Sequence, residues 1–144
     1  MTNTIDPRLI EKGLKLKNSD FFNRIDTQIL LEIATLGEEI YIQKDEFLFK
    51  EGDPGDGLFF ILNGSLDIII GKKVVNTLNE GDVLGEIALI DSKPRTASVK
   101  ALELTSLLRF SPSLFDEILE EYPAIAKRVI QTLINHIRTL TVSI

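Results

Sequence analysis

The spacing of apolar residues changes twice along the chain. Over the first forty residues it is helical. Asp6-Pro7 reads as a cap with proline in the first turn, and Leu9, Ile10 and Leu14 follow at helical spacing. Asp26 then precedes TQILLEIATL, in which Ile29, Leu30, Ile33 and Ala34 make one apolar face. Both segments are expected to be packing helices rather than sites.

From Glu39 to Phe110 the period shortens. EEIYIQK, EFLFKEG, GLFFILNG, SLDIIIG, KVVNTL and ASVKALELTSLLRF are rich in β-branched and aromatic residues. Turn signals separate them at Gly52-Asp53-Pro54-Gly55, Asn63-Gly64, Gly71 and Glu80-Gly81-Asp82. Asn63-Gly64 and Gly71-Lys72 suit tight hairpins. Short strands at this spacing predict a small barrel or jelly roll, which limits exposed sheet edges.

After Phe110 the pattern is helical again. Ser111-Pro112 starts SLFDEILEEY, and Pro123 opens a helix that runs to the C-terminus. In that helix Ala126, Ile130, Leu133, Ile137, Leu140 and Ile144 alternate spacings of four and three, and Ile125, Val129 and Ile134 form a second apolar row. Such a helix can pack on its own barrel and also meet a partner, so a homodimer through it is one expectation. The expected fold class is therefore α+β, an antiparallel β-roll (a jelly-roll-like barrel) flanked by N-terminal helices and two C-terminal helices. One domain is expected over 1–144, with helices at about 6–37, the roll at about 39–110 and closing helices at about 112–144.

Composition narrows the function classes. No run approaches the length of a membrane span and MTNTIDPRLIEKG lacks a signal-peptide core, so the expected compartment is the cytoplasm. The absence of cysteine excludes thiolate metal sites and cysteine nucleophiles, and a single histidine, His136, cannot build a multi-histidine metal centre. His136 is read as a helix-face residue. A net charge of −6 argues against direct nucleic-acid binding through a broad basic footprint. Any anionic ligand must be held by local groups.

The stretch GEIALIDSKPRTASV, Gly85 to Val99, offers such groups. Its EIAL segment is expected to form one helical turn, with unpaired backbone N–H groups near Glu86, Ile87 and Ala88 that attract an anion. Gly85 would let the backbone approach a ligand closely. Arg95 can bring its planar fork to the same point, where it suits phosphate oxygens better than lysine does. Glu86 would repel a phosphate, but it makes sense as an acceptor for a sugar hydroxyl. Phosphate and ribose together mean a nucleotide. The simpler alternative is that Glu86 and Arg95 form a surface ion pair of little worth. Glu51, Asp53 and Asp56 are read as loop solvation, not as a catalytic carboxylate pair.

G-E-I-A-L followed by P-R-T-A-S-V resembles the phosphate-binding cassette of cyclic nucleotide-binding domains, the family of catabolite activators and protein kinase A regulatory subunits. Upstream, EGDPGDGLFFILNGSLDI resembles that family's strand-turn signature, including Gly52, Gly57 and Gly64. The resemblance implies a receptor for cyclic AMP or cyclic GMP, with no catalysis and no cofactor of its own. It implies Glu86 on the ribose 2′-hydroxyl, Gly85, Ile87 and Ala88 as the backbone cradle, and Arg95 against the cyclic phosphate. Thr96 and Ala97 would add a hydroxyl or backbone N–H. Leu140 and Thr141, with Thr139 nearby, would belong to a lid over the base. The movement would pass through a hinge from Phe110 to Tyr122, with Leu114, Phe115 and Ile118 as its apolar part.

Three rivals follow. A transcription factor of this family carries a helix-turn-helix after the last helix, and none is read before Ile144, so the expectation is a stand-alone domain or a fragment that signals to an unidentified effector protein or domain. A cupin-type enzyme needs several histidines. A degenerate, ligand-free β-roll that serves as an interaction or dimerisation module remains the main alternative.

Overall fold

The computed structural model describes residues 6–85 and 94–142, with side chains of the last helix described to Asn135 apart from Val129, Thr132 and Leu133. Helix α1 (Pro7–Lys17) opens on Asp6, whose carboxylate accepts from the Arg8 N–H at 2.9 Å. Helix α2 (Thr27–Leu36) opens on Asp26, which accepts from Gln28 N–H at 3.4 Å. These caps satisfy amide donors that an α-helix leaves without partners in its first turn. Leu30, Ile33 and Ala34 of α2 are buried, as their spacing predicts. On α1, Leu9 packs against the core as its spacing predicts, with Gly13 and Leu16 buried beside it, whereas Ile10 and Leu14 are exposed, so the inward face is turned from the expected one.

Among the described residues eight strands follow: β1 (Glu38–Ile42), β2 (Phe47–Phe49), β3 (Leu58–Asn63), β4 (Ser65–Ile70), β5 (Lys73–Asn79), β6 (Val83–Leu84), β7 (Ser98–Ala101) and β8 (Thr105–Phe110). They form two antiparallel four-stranded sheets, ordered β1-β8-β3-β6 and β2-β7-β4-β5. This is the β-roll that the strand spacing predicts. Gly71-Lys72 does join a hairpin, with Ile70 opposite Lys73 and Gly71 at φ +63°. Asn63-Gly64 does not. It carries the chain from β3 in one sheet to β4 in the other, so a turn expected to close a hairpin is a crossover. The strands it joins have different neighbours: β3 pairs with β8 and β6, and β4 with β5 and β7.

Strand β3 is the spine of the core. Leu58 to Leu62 are all buried, because alternate side chains enter different clusters. Phe59 and Ile61 point between the sheets with Leu66, Leu84, Val99 and Leu107. Leu58, Phe60 and Leu62 point under the helices with Leu16, Phe22, Leu30 and Ile33, and Phe22 meets Phe60 edge-on at 5.9 Å. Full burial of such a side chain is worth about 1.5–3 kcal/mol, so this strand binds both halves of the molecule.

Helix α3 (Pro112–Glu121) is capped by Ser111, whose hydroxyl accepts from Leu114 N–H at 3.2 Å, and α4 spans Pro123–Val142. Phe115, Ile118 and Ile125 are buried in the cluster beneath the helices, while Leu114 packs at its margin. Arg128 donates to the carbonyls of Asp20 and Phe21, tying the start of α4 to the turn between α1 and α2. No helix among the described residues is long and apolar enough to cross a membrane.

Candidate functional site

Three chain segments converge at one end of the roll: the β2–β3 loop, the residue after β6, and the approach to β7. Backbone hydrogen bonds join the first and third. Gly52 N–H donates to Arg95 O at 2.8 Å, and Arg95 N–H donates to Asp53 O at 2.7 Å. The Asp53 carboxylate closes the loop on itself by accepting from Lys50 N–H at 2.9 Å. Ser98 Oγ accepts from Glu51 N–H at 2.9 Å. The position of Arg95 is therefore set by main-chain pairing, independently of any ligand.

The Arg95 side chain is then turned inward. The residue is only 8% exposed, which rules out the reading of a solvated surface charge. Its guanidinium carbon lies 4.3 Å from the centroid of the Phe49 ring and 6.0 Å from that of Phe59, within cation–π range. One Nη donates to Gly57 O at 3.1 Å and lies 3.9 Å from an Asp56 carboxylate oxygen. A buried cation is costly unless paired and hydrogen-bonded, and these groups supply part of that compensation.

Gly85 abuts this guanidinium. Its φ of +85° is one that side-chain-bearing residues rarely adopt, and a Cβ there would lie 2.5 Å from Gly57 O and 2.9 Å from an Arg95 Nη. The close approach that glycine permits is thus to Gly57 and Arg95. Gly85 and Arg95, ten positions apart in sequence, lie against each other.

Of the other residues expected at the site, Thr96 is exposed and Ala97 half-buried between Arg95 and β7. Glu86, Ile87 and Ala88 lie outside the described residues. Leu140 and Thr141 fall in the last turns of α4, with Thr139, and their side chains, like that of His136, also lie outside what is described. Two residues read as mere loop solvation do more. Asp53 binds the Arg95 backbone, and Asp56 sits between Arg95 and Arg109, whose Nη is 3.2 Å from it. Phe49 and Arg109 carry no sequence signal of their own, because their partners lie 46 and 53 positions away along the chain.

The described part of the site offers a buried cation beside closely approached backbone. Among the described residues of the site there is no base beside a hydroxyl nucleophile and no cluster fit to hold a metal ion. A buried guanidinium and a glycine-narrowed backbone are the groups a phosphate needs. The sequence model of the cyclic nucleotide-binding domain matches residues 39–122, from β1 through the end of α3. The chain belongs to that family. Cyclic nucleotide-binding domains are regulatory modules, generally without catalysis of their own.

Relatives and solved structures agree. The Pycsar effector protein PaPycTIR of Pseudomonas aeruginosa is 32% identical over 130 residues, which cover 90% of this chain and 40% of that protein. The regulatory domain of Toxoplasma gondii PKA, solved with cAMP, superposes with a TM-score of 0.72 at 26% identity, covering 87% of this chain and 49% of that one. The catabolite activator protein of Thermus thermophilus shares the fold, with a TM-score of 0.83 at 21% identity over 87% of this chain and 61% of that one. The chain spans less than half of the Pseudomonas effector, and 7% of the lysophospholipase nte1 of Neurospora crassa, to which it is also similar.

Proposed function

We propose that residues 1–144 act as one receptor domain for a cyclic nucleotide, cyclic AMP or cyclic GMP, whose phosphate pairs with Arg95. The observation that carries this reading is the burial of the Arg95 guanidinium beside Gly85. A cation held there, against an overall charge of −6, is poised for a compact anion. Glu86 takes the ribose 2′-hydroxyl, Ile87 and Ala88 give backbone N–H groups to the phosphate, and Thr96 and Ala97 flank it. Leu140 and Thr141 cover the base. The likeness to a PKA regulatory domain solved with cAMP favours cyclic AMP over cyclic GMP.

The output runs through α3 and α4. Ligand that prefers a closed arrangement of these helices shifts the population toward it. Ile130, 55% exposed, and Ile134 leave one face of α4 open to an effector or a second copy.

Calorimetric titration with each nucleotide tests the reading. Arg95→Ala is expected to weaken binding by about 2–5 kcal/mol, because a buried charge-assisted pair loses one partner. Glu86→Ala is expected to weaken binding less, and least for a ligand lacking the 2′-hydroxyl. Unchanged affinity in Arg95→Ala would refute the phosphate assignment. The absence of any thermal shift with either nucleotide would favour a ligand-free interaction module.

A further inference from the structure

Arg109 lies on β8, opposite Glu38 of β1 on one side and Phe59 of β3 on the other. Its guanidinium donates to Asp56 O at 2.7 Å and to an Asp56 carboxylate oxygen at 3.2 Å, and its second Nη is 3.6 Å from Glu38. The other Asp56 carboxylate oxygen is 3.9 Å from Arg95, and the next carbonyl, Gly57 O, accepts from that same Arg95 Nη at 3.1 Å. The Asp56-Gly57 dipeptide is thus gripped from both sheets, by Arg109 from one and by Arg95, just before β7, from the other. We propose that Arg109 is a positioning residue for the anion-binding guanidinium of Arg95, acting through Asp56-Gly57; this rests on the reading of Arg95 as the phosphate partner.

Three features carry the proposal. Asp56 is exposed, in a loop that ordinary solvation would leave mobile, yet its main chain and side chain are both held by one group. One Nη of Arg109 makes both bonds to Asp56 while the other faces Glu38 at 3.6 Å, so the fork spans Asp56 and Glu38 together, a reach that the single ammonium of a lysine does not offer. The Asp56 carboxylate also stands nearer Arg109 than Arg95, 3.2 Å against 3.9 Å. Arg109 therefore holds a competing anion to one side of the Arg95 guanidinium while fixing the Gly57 carbonyl that orients Arg95.

The test uses the intact chain with Arg109→Gln and Arg109→Lys, the latter keeping the charge beside Glu38 should the former fail to fold. In ligand-free protein, solvent exchange of the Arg95 Nε–H, followed by NMR, is expected to change severalfold in both variants. Nucleotide affinity is expected to fall roughly tenfold, within the range that residues sharing a contact network show. That loss should vanish in an Arg95→Gln background, because Arg109 acts only through Arg95. Unaltered Arg95 exchange, undiminished affinity, or an affinity loss that adds to that of Arg95→Gln would each overturn the proposal. Should the wild-type chain bind neither nucleotide, the receptor reading fails, and Arg95 exchange alone decides for or against the positioning role.

Discussion

The Arg95 guanidinium carbon sits over the Phe49 ring, 4.3 Å from its centroid, and this contact joins the approach to β7 to the adjacent strand β2. The aromatic face offers negative potential to a cation that is largely shielded from water, an interaction worth about 0.5–2 kcal/mol. Phe49→Leu keeps an apolar surface and removes the ring. Its expected effect is a loss of nucleotide affinity of about 0.5–2 kcal/mol, with a comparable loss of stability. Calorimetry and urea unfolding measure the two. An affinity equal to wild type would mean that the stacking does not hold Arg95 for the ligand.

Gly85 and Gly71 separate backbone strain from crowding. Both have positive φ, but a Cβ at Gly71 meets nothing within 4 Å, whereas one at Gly85 meets Gly57 O and Arg95. Gly71→Ala is expected to cost about 1–2 kcal/mol, the price of the left-handed region for an L-residue. Gly85→Ala should cost more by about 1–3 kcal/mol, because the neighbours must also move. Urea denaturation gives both values. Nucleotide affinity should fall in Gly85→Ala and hold in Gly71→Ala. Equal stability losses in the two variants would contradict the crowding at Gly85.

What was legible in the sequence was mostly local. Asp6, Asp26 and Ser111 announce helix starts because a cap is formed within three residues of itself. The strand segments show because each carries its own β-branched run. Asn63-Gly64 misleads for a related reason: the dipeptide specifies a turn, but whether that turn closes a hairpin depends on pairings made by β6, β7 and β8 much later in the chain. Leu9, Ile10 and Leu14 fit a helical stripe, yet only Leu9 of the three packs on the core, and α1 turns Leu16 and Gly13 inward with it, since Gly13 allows Leu31 of α2 to approach. At the site, the glycine and arginine of a recognisable cassette are found side by side. Phe49, Asp56 and Arg109 were not readable as parts of it, because only the closed roll brings them to Arg95.

Glu39 on β1 makes an acid-side prediction. Partial burial acts to raise its pKa, but hydrogen bonds from Lys12 and Tyr41 and the charges of Lys12 and Arg8 together outweigh burial and hold it below the usual glutamate value. A carboxyl with a depressed folded pKa stabilises the fold above its unfolded value, near 4.3, and loses that contribution as pH falls through the folded value. Glu39→Gln should therefore be less stable than wild type at neutral pH, with the difference closing below about pH 4. Unfolding curves across that range check it. A constant difference down to the lowest pH would show that Glu39 acts through packing and not through its charge.

Tyr122, the residue between α3 and α4, makes the matching prediction on the alkaline side. Its hydroxyl donates to Glu32 of α2, fastening the elbow of the closing helices to the N-terminal pair. That hydrogen bond, with smaller contributions from desolvation and the charges of Glu121 and Glu32, pushes the phenol pKa up to about 12. A group whose folded pKa is raised contributes stability that is complete below its unfolded value, near 10, and disappears as pH rises through the folded one. Tyr122→Phe should therefore differ from wild type by a constant amount up to about pH 10, and the gap should close toward 12. Ultraviolet titration gives an independent reading, since the chain has only two tyrosines and the other, Tyr41, is also shifted upward by its hydrogen bond to Glu39. In folded wild-type protein neither phenol should ionise at the ordinary tyrosine value, and Tyr122→Phe should remove the step near 12. A tyrosine that titrates normally and disappears with Tyr122 would mean that the elbow is not fastened to α2 in solution.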